Sequence, residues 1–480
     1  MIHACKLFQG YWGGQYSHTD GRFYMSMVNA TRAVRFDPAT NTWERFGDTF
    51  PETSFGVNDK WSGGTVSSID NCFYQMPHRL HKSHRMLKVD PVNSTAQEVG
   101  EDVRILAPGV REMAWGFFAI ANADGIIFGM PVNANSVFLF DPRTNESRTF
   151  GKLEDRGASK YWYGVLGPSG RYIFALPACA SRVLCVDTQE LTIELIGPDF
   201  GYSDGVNFLT ETKWHRGALG ADNRIYAMHL AARRMLRIDP AAKTASLFGP
   251  DLLRFCSNKG ELIPGTWNGV IAGMDGYLYS PPWLGDHILC IDPFAGTVSK
   301  VGEALPPDQV GKLSFGLRDR DGAIWMTPIM PGGRLLRLAP RRPKTPLLAT
   351  LLQPNHLAVL REGLRDLRCY GPALVLAMWR EAVRPGGNCA LVRGLLEATS
   401  AVLPAVVTAS IKEDRGSTAR MLLHAILALF PPQVGGCIWA PLMVQVDSAW
   451  IFPLTYCPRS CTRTGARART HTHSRRTRRP

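Results

Sequence analysis

Residues 266–293 read TWNGVIAGMDGYLYSPPWLGDHILCIDP and contain three short apolar or aromatic runs. Two turn signals, Asp275-Gly276 and Asp292-Pro293, separate the runs, and a fourth run, residues 297–301, follows. Gly tolerates a positive φ, Pro presets φ, and Asp accepts hydrogen bonds from the turn backbone, so both pairs favour tight turns. Residues that tolerate a positive φ, such as Gly276, predict a two-residue hairpin between strands one and two. The stretch therefore predicts a unit of four antiparallel strands.

The same pattern recurs through the first 340 residues. Each copy begins with an aromatic residue, usually Trp, followed shortly by Gly, and continues with a turn pair and an aromatic run that usually ends in Pro. The period of about 50 residues is typical of propeller blades or solenoid units. The copies begin near Trp12, Trp61, Trp115, Trp162, Trp214, Trp267 and Ser314.

These repeats predict a mainly β fold. Hairpin turns argue against a parallel β-helix, and four strands per unit suit a propeller blade, so we predict a seven-bladed β-propeller of four-stranded antiparallel blades over residues 1–342. We expect the repeated Trp to pack between neighbouring blades, since burying it removes roughly 150–250 Å² of surface. The Gly beside it should relieve crowding at the central axis.

The last blade needs an outer strand, and two segments could supply it. Residues 2–8 form a short apolar run that has no partner in the first repeat, and residues 346–352 are the competing source. We favour the N-terminal segment, which would close the ring by joining the first part of the chain to the seventh blade.

The pattern changes after residue 342. Leu357, Leu360, Leu364 and Leu367 recur at helical spacing, which predicts an α-helical segment over residues 343–434. Residues 435–480 are predicted to be poorly ordered, first apolar and then Arg-rich. Asp447 interrupts the apolar part and argues against a membrane span, because an acidic residue at mid-span costs roughly 2.5–3.5 kcal/mol.

The charge is concentrated at one end of the chain. Residues 457–480 contain eight Arg and no acid, so the remaining positions carry only +5 of the formal +13. Such a balance predicts no particular partner for the globular body. Nucleic-acid association through the Arg-rich tail is a second alternative function, and it would be strongly salt-dependent.

Cysteine usage bears on the cellular compartment. The 11 Cys are scattered without the spacing of a disulfide framework, which indicates a reducing environment. The first residues also lack the apolar core of a secretory signal. We therefore expect an intracellular, cytoplasmic protein, and we expect it to be a monomer.

The predicted topology places any site on one face of the disc. The tight turns join strand one to two and strand three to four, so they share one face, here called the short-turn face. The connections between blades and the loops after the Pro lie on the opposite, long-loop face. Binding residues concentrate on loops held by a rigid scaffold, so we expect a site on the long-loop face around the channel mouth.

Histidines supply the candidate site residues. His78, His81 and His84 lie in one basic loop and could chelate a divalent metal, although a solvated basic loop is the simpler explanation because metal sites usually draw on more than one element. His215, His229, Trp283 and His287 could line the mouth and contact a ligand or partner. The sequence assigns no catalytic residue and no cofactor, and turn formation explains the repeated Asp.

Two families share pieces of this pattern. Residues 34–47, VRFDPATNTWERFG, resemble the third and fourth strands of a kelch repeat, and the pairs Gly13-Gly14 and Gly63-Gly64 strengthen that likeness. Residues 321–327, DGAIWMT, and 334–340, RLLRLAP, are similar to repeats of streptogramin-lyase-like propellers. The first resemblance implies protein interaction and the second a lyase or related activity, and neither extends to site residues.

The leading interpretation is a non-enzymatic β-propeller scaffold that binds a protein or small-molecule partner on its long-loop face. The alternative is a lyase- or lactonase-type enzyme with its site at the channel mouth. Two or more converging His with a carboxylate would favour the enzyme. A mouth of aromatic and charged groups without such a cluster would favour binding.

Overall fold

The computed structural model describes most of residues 3–339 and two short strands further along the chain. The ranges outside it are 1–2, 5–10, 18–19, 28–29, 51–59, 79–83, 111–112, 155–156, 204–210, 230–231, 256–265, 274, 306–312, 320–321, 329–333, 340–443, 447–448 and 452–480. The predicted α-helical segment 343–434, the Arg-rich end and the alternative closing segment 346–352 therefore lie outside the described residues.

Seven four-stranded antiparallel sheets follow one another along the chain. The first strand, β1 (His3–Ala4), belongs to the last of these sheets. Blades one to three comprise β2 (Tyr11–Tyr16), β3 (Phe23–Met27), β4 (Ala33–Asp37), β5 (Thr42–Phe46); β6 (Trp61–Val66), β7 (Phe73–Pro77), β8 (Met86–Asp90), β9 (Thr95–Val99); β10 (Trp115–Ala121), β11 (Ile127–Pro131), β12 (Val137–Asp141), β13 (Glu146–Phe150).

The remaining blades have the same strand order. Blades four to seven comprise β14 (Tyr161–Leu166), β15 (Tyr172–Pro177), β16 (Val183–Asp187), β17 (Thr192–Ile196); β18 (Trp214–Leu219), β19 (Ile225–His229), β20 (Met235–Asp239), β21 (Thr244–Phe248); β22 (Ile271–Ala272), β23 (Leu278–Ser280), β24 (Ile288–Asp292), β25 (Thr297–Val301); β26 (Leu313–Arg318), β27 (Ile324–Pro328), β28 (Arg334–Leu338). Further along, β29 (Val444–Val446) and β30 (Ala449–Ile451) form a separate antiparallel hairpin.

The ring is closed by the N-terminal strand. β1 pairs antiparallel with β28, with His3 opposite Leu335 and Ala4 opposite Arg334, and so becomes the outer strand of blade seven. The first strands of all seven blades line one central cavity of about 400 Å³. The seven-bladed β-propeller and its N-terminal closure are both confirmed.

The described parts of the connections between blades contain two short helices. α1 (Val103–Leu106) follows blade two and begins at Asp102, whose carboxylate accepts a hydrogen bond from the Arg104 backbone over 3.0 Å. A 3₁₀ helix, Leu252–Phe255, follows blade five. Among the described residues, no helix is both long and apolar enough to cross a bilayer.

The turns between strands one and two contain the predicted residues but are longer than predicted. The second residue of every predicted turn pair has a positive φ, between +57° and +86°. In blade five, however, Gly220 donates to the Arg224 carbonyl across a three-residue loop, and Asn223 closes a turn on Gly220. The two-residue hairpin was therefore wrong, and the left-handed residue closes a longer turn.

The Asp-Pro turns between strands three and four follow the prediction. In blade six, one carboxylate oxygen of Asp292 accepts hydrogen bonds from the backbone of Phe294 and Ala295, each over 2.9 Å. The carboxylates of blades one to five make the same kind of bond to the backbone of their own turn, at Asp37, Asp90, Asp141, Asp187 and Asp239. Turn formation accounts for these acids, as expected.

The Asp of the first turn has a second role that the sequence did not reveal. In blade five the Tyr226 hydroxyl donates to the Asp222 carboxylate over 2.8 Å, and burial of that carboxyl raises its pKa. The same bond joins Tyr24 to Asp20, Tyr74 to Asp70 and Tyr279 to Asp275. Blades three and four have Phe128 and Phe174 in place of this Tyr, and blade seven has Trp325, whose indole N–H donates to the Asp319 carboxylate over 2.7 Å.

The repeated Trp packs against the preceding blade, as expected. Trp115 lies in one apolar cluster with Tyr74 and Met76 of blade two, and Trp267 lies in another with Tyr226 and Met228 of blade five. Each indole N–H also donates to a backbone carbonyl in its own blade. The pairs are Trp61 to Arg85, Trp115 to Ser136, Trp214 to Arg234 and Trp267 to His287.

Three of the predicted repeat starts are displaced by one residue. In blade four, Tyr161 rather than Trp162 lies opposite the terminal Pro, Pro177, and takes the place that Trp has elsewhere. Likewise Tyr11 replaces Trp12 and Leu313 replaces Ser314 as the first residue of the blade. Alignment on Trp alone gave the wrong residue because Tyr161 is itself aromatic and precedes Trp162.

Candidate functional site

The innermost strands are irregular where they leave the long-loop face. In blade five, Trp214 lies opposite His229 and Gly217 lies opposite Ala227, so strand one has one more residue than strand two over this interval. A β-bulge of this kind redirects a side chain. The first strands of the other six blades show register shifts at the same position. The bulges form a ring at the channel mouth.

Blade three has a larger bulge than the others. Trp115 lies opposite Pro131 and Ala119 lies opposite Gly129, so strand one has two extra residues here. Phe118 is one of them, and it lies among the residues that line the central cavity. The second extra residue thus adds an aromatic ring to the channel.

Two glycines make room for the ring of Phe118. A Cβ at Gly63 would lie 2.3 Å from the Phe118 ring, and a Cβ at Gly13 would lie 2.7 Å from it. Such separations are far below van der Waals contact, so both positions require Gly. The predicted relief of crowding is confirmed at these two positions, and the crowding group is a side chain from blade three.

Arg216, a bulge residue of blade five, lies against two of the aromatic rings in the channel. Its guanidinium carbon is 4.7 Å from the centre of the Phe118 ring and 4.8 Å from the centre of the Tyr163 ring. The two rings are 5.0 Å apart. Arg216 also hydrogen-bonds Tyr163, although burial still raises the pKa of that phenol. Cation–π contacts of this kind are worth about 0.5–2 kcal/mol.

His215 precedes Arg216 and is buried at the mouth. Its Nδ1 lies 2.9 Å from Oδ1 of Asn268, the equivalent bulge residue of blade six. An amide oxygen only accepts, so Nδ1 carries the proton. Burial lowers the pKa of His215 to about 3, and the nearby Arg216 acts in the same direction. The rings of Trp162 and Tyr163 meet the imidazole edge to face.

The described residues that line the channel include two cations and no acid. Arg216 lies near the long-loop face, and Arg318, the last residue of its strand, lies toward the short-turn face and donates to the Ala272 carbonyl over 2.9 Å. The remaining polar lining consists of neutral groups such as Gln15, Thr65 and Asn268. The lining is therefore positive.

The histidines of the basic loop are only partly described. His78 is buried and its backbone N–H donates to the Lys60 carbonyl over 2.9 Å. His84 is half-buried, and its carbonyl accepts from the Val103 backbone. His81 lies outside the described residues. Within the described ranges, no group of three or more His, Cys, Asp or Glu is placed to hold a metal ion.

The other predicted contacts lie in two different places. His215 lies against the channel-lining residues Tyr163 and Asn268, whereas Trp283 and His287 lie in the loop between strands two and three of blade six. His287 Nδ1 is 2.8 Å from Asp286, whose carboxylate is also 3.5 Å from Lys300 on the outer strand. That pair is therefore directed toward the rim. For His229 the structure describes the backbone, which pairs with Trp214.

Sequence reasoning missed Phe118, Tyr163, Arg216 and Asn268 as channel residues. Their positions depend on the bulges, which shift strand one by one or two residues relative to its partner. The signal that could have found them is spacing: each follows the first aromatic residue of its blade by one to three positions.

No protein-family model matches the chain, and no curated protein matches it in sequence. Solved structures do match in fold. Streptogramin B lyase aligns with a TM-score of 0.52 and 13% identity over 70% of this chain and 98% of its own. A catalytically inactive virginiamycin B lyase from Staphylococcus aureus with quinupristin aligns with a TM-score of 0.52 and 12% identity, covering 71% and 99% of the two chains. At such identities the likeness shows the fold alone.

Proposed function

We propose that this seven-bladed β-propeller is a non-enzymatic binding scaffold whose long-loop face, around the channel mouth, holds a protein or small-molecule partner. The closed ring supplies a rigid support, and the bulges present aromatic, cationic and amide groups from several blades at one opening. Concave openings with a few oriented polar groups are the usual ligand sites of such folds.

The environment of His215 carries this proposal. A general base works best when its pKa is near the working pH and a carboxylate orients it. His215 is instead bonded to the Asn268 amide, and burial lowers its pKa to about 3, so the imidazole is neutral and weakly basic at physiological pH. The described mouth thus offers hydrogen-bonding and packing groups rather than an acid–base pair.

Exposed apolar side chains on the long-loop face favour a protein partner. Ile105 lies in the connection after blade two and is 71% exposed, Tyr202 lies in the connection after blade four, and Leu284 lies in the strand two to three loop of blade six. Val92, also 71% exposed, lies in a turn on the opposite face. Tyr is one of the residue types that contribute most of the binding energy in interfaces, and neighbouring apolar contacts help to exclude water around such residues.

A position-specific cross-linking experiment tests the proposal. A photoreactive residue replaces Ile105, Tyr202 or Leu284 in the full chain, and Val92, with the same exposure as Ile105, serves as the matched control. If the partner is a protein, we expect cross-links to it from the first three positions only. If the partner is a small molecule, we expect its binding to reduce cross-linking at those positions. Equal cross-linking from Val92 would contradict the proposal.

The same preparation distinguishes the enzyme alternative. Quinupristin, the compound named in the second matching structure, is incubated with the full chain and followed by chromatography. We expect no change in its mobility. Time-dependent conversion that depends on the protein would favour the lyase-type alternative instead.

A further inference from the structure

We infer that the channel mouth binds an anionic group, a carboxylate or a phosphate, and that Arg216 is the residue that contacts it. This inference rests on the proposed function, because it names the chemistry of the group that the long-loop face would hold. It requires a cation that is oriented, partly desolvated and reachable from the mouth.

The aromatic contacts orient the guanidinium. Arg216 lies 4.7 Å from the ring of Phe118 and 4.8 Å from the ring of Tyr163, and contact with a ring face uses none of its five N–H donors. The phenol of Tyr163 accepts from Arg216 and can donate its own proton to an anion. A planar donor fork held in this way matches a carboxylate or a phosphate in bidentate geometry.

The surrounding backbone keeps this arrangement in place. Phe118 fills the space left by Gly13 and Gly63, and a Cβ at Gly269 would lie 2.7 Å from Cβ of Arg216. Backbone positions of blades one, two and six therefore restrict this small group of side chains, which come from blades three, four and five. A site that is already ordered loses less entropy when a ligand binds, which favours affinity.

The electrostatics of the cavity select the sign of the ligand charge. Both charged residues in the described lining, Arg216 and Arg318, are cations. Gln15, Thr65 and Asn268 add neutral hydrogen-bonding groups. Charge interactions are stronger in a partly buried site than in water, so this lining attracts anions and repels cations. A cavity of about 400 Å³ accommodates one small group or the tip of a larger partner.

Calorimetric titration of the full chain tests the inference with three probes of similar shape. Benzoate carries a carboxylate, phenyl phosphate carries a phosphate, and benzamide is the neutral control. Arg216→Gln removes the charge, and Arg216→Lys keeps the charge but removes the planar fork. Arg237→Gln is the matched control, because Arg237 is in the same blade and lies 5.5 Å from the Phe248 ring at the rim.

We expect the unmodified chain to bind at least one anion about tenfold more tightly than benzamide, and the more tightly bound anion identifies the source chemistry. Loss of a charge-assisted hydrogen bond should weaken binding at least tenfold in Arg216→Gln and less in Arg216→Lys. Arg237→Gln should bind like the unmodified chain. Circular dichroism and melting curves confirm that each variant is folded.

Two results would overturn the inference: benzamide binding as tightly as both anions, or equal weakening by Arg237→Gln and Arg216→Gln. If Arg216→Gln does not fold, the inference is tested with Arg216→Lys and with the salt dependence of binding by the unmodified chain. Anion binding must weaken as the chloride concentration rises. The cross-links from Tyr202 and Leu284 do not require Arg216. A negative result in the titrations would therefore not contradict the proposal that the long-loop face is a binding scaffold.

Discussion

The Tyr161 hydroxyl donates a hydrogen bond of 3.0 Å to the backbone carbonyl of Arg182, in the place where four other blades use an indole N–H. Two chemically different side chains thus join the first strand of a blade to the loop before its third strand. In these five blades the position is defined by a buried aromatic donor rather than by Trp, whereas blade seven has Leu313 there.

Removing the Tyr161 hydroxyl should therefore destabilise blade four. We expect Tyr161→Phe to lower the free energy of unfolding by about 1 kcal/mol, the usual net contribution of a neutral hydrogen bond. Urea unfolding followed by fluorescence measures this change. Tyr277→Phe, at a half-buried tyrosine, is the control, and an equal loss there would contradict the assignment.

The bond between Tyr226 and Asp222 should also stabilise the protein. Tyr226→Phe removes a donor from a carboxylate that is 4% exposed, and bonds to charged groups contribute about 1.5–3 kcal/mol. The variant should raise the pKa of Asp222 further, so its destabilisation should be largest at pH 7 and smaller once the carboxyl is protonated. Urea unfolding at pH 7 and pH 4 tests both points. A pH-independent loss would exclude the electrostatic explanation.

The contact between Gly63 and Phe118 makes a paired prediction. We expect Gly63→Ala to destabilise the ring by about 1–3 kcal/mol, because the added methyl overlaps the phenyl group. Phe118→Leu should relieve much of this cost when the two changes are combined. A double-mutant cycle measures the coupling, and simple additivity would show that the two residues do not compete for space.

His215 should make stability depend on pH in a defined window. Its pKa is about 3 when folded and about 6.5 when unfolded, so the unfolded chain binds the extra proton between these values. Stability is then complete above pH 6.5 and falls by up to about 1.4 kcal/mol per pH unit below it. His215→Gln should flatten the unfolding free energy between pH 6.5 and 4.5. The control His287→Gln should keep the slope, and an unchanged slope in His215→Gln would reject the prediction.

Loss of the closing strand should affect the whole ring. Deleting residues 1–9 removes β1 and leaves β28 as an unpaired edge, so we expect a large fall in the melting temperature and a tendency to aggregate. Calorimetry and light scattering measure these changes. An unchanged melting curve would mean that the pairing of His3 with Leu335 contributes little.

The architecture could be predicted from sequence because its signals are local. Asp275-Gly276 and Asp292-Pro293 specify turns through their own backbone preferences. The same pattern of strands and turns recurs in seven copies with a period of about 50 residues. The closing strand could also be predicted, since residues 2–8 are apolar and have no partner in the first repeat. What failed was detail at single residues, as at Tyr161, where two adjacent aromatics offered the same signal.

Most residues of the candidate site could not be predicted from the sequence, and the reason is physical. Phe118 and Arg216 meet only because blade three has two extra residues and blade five has one, and an extra residue in a strand this short cannot be recognised from the sequence pattern. His215 was a candidate because its residue type is chemically distinctive. Its partner, Asn268, comes from another blade, and no local pattern connects the two.

The closure of the ring by His3 and Ala4 has a consequence for how the protein is made. The strand that receives them, Arg334–Leu338, is synthesised more than 300 residues later, at about 5–20 residues per second. During translation the growing chain is an open arc of blades, and the edge strand at its end has no pairing partner. The seventh blade must therefore leave the ribosome before β1 can pair with β28 and close the ring. We expect this closure to be a single late, cooperative step of folding.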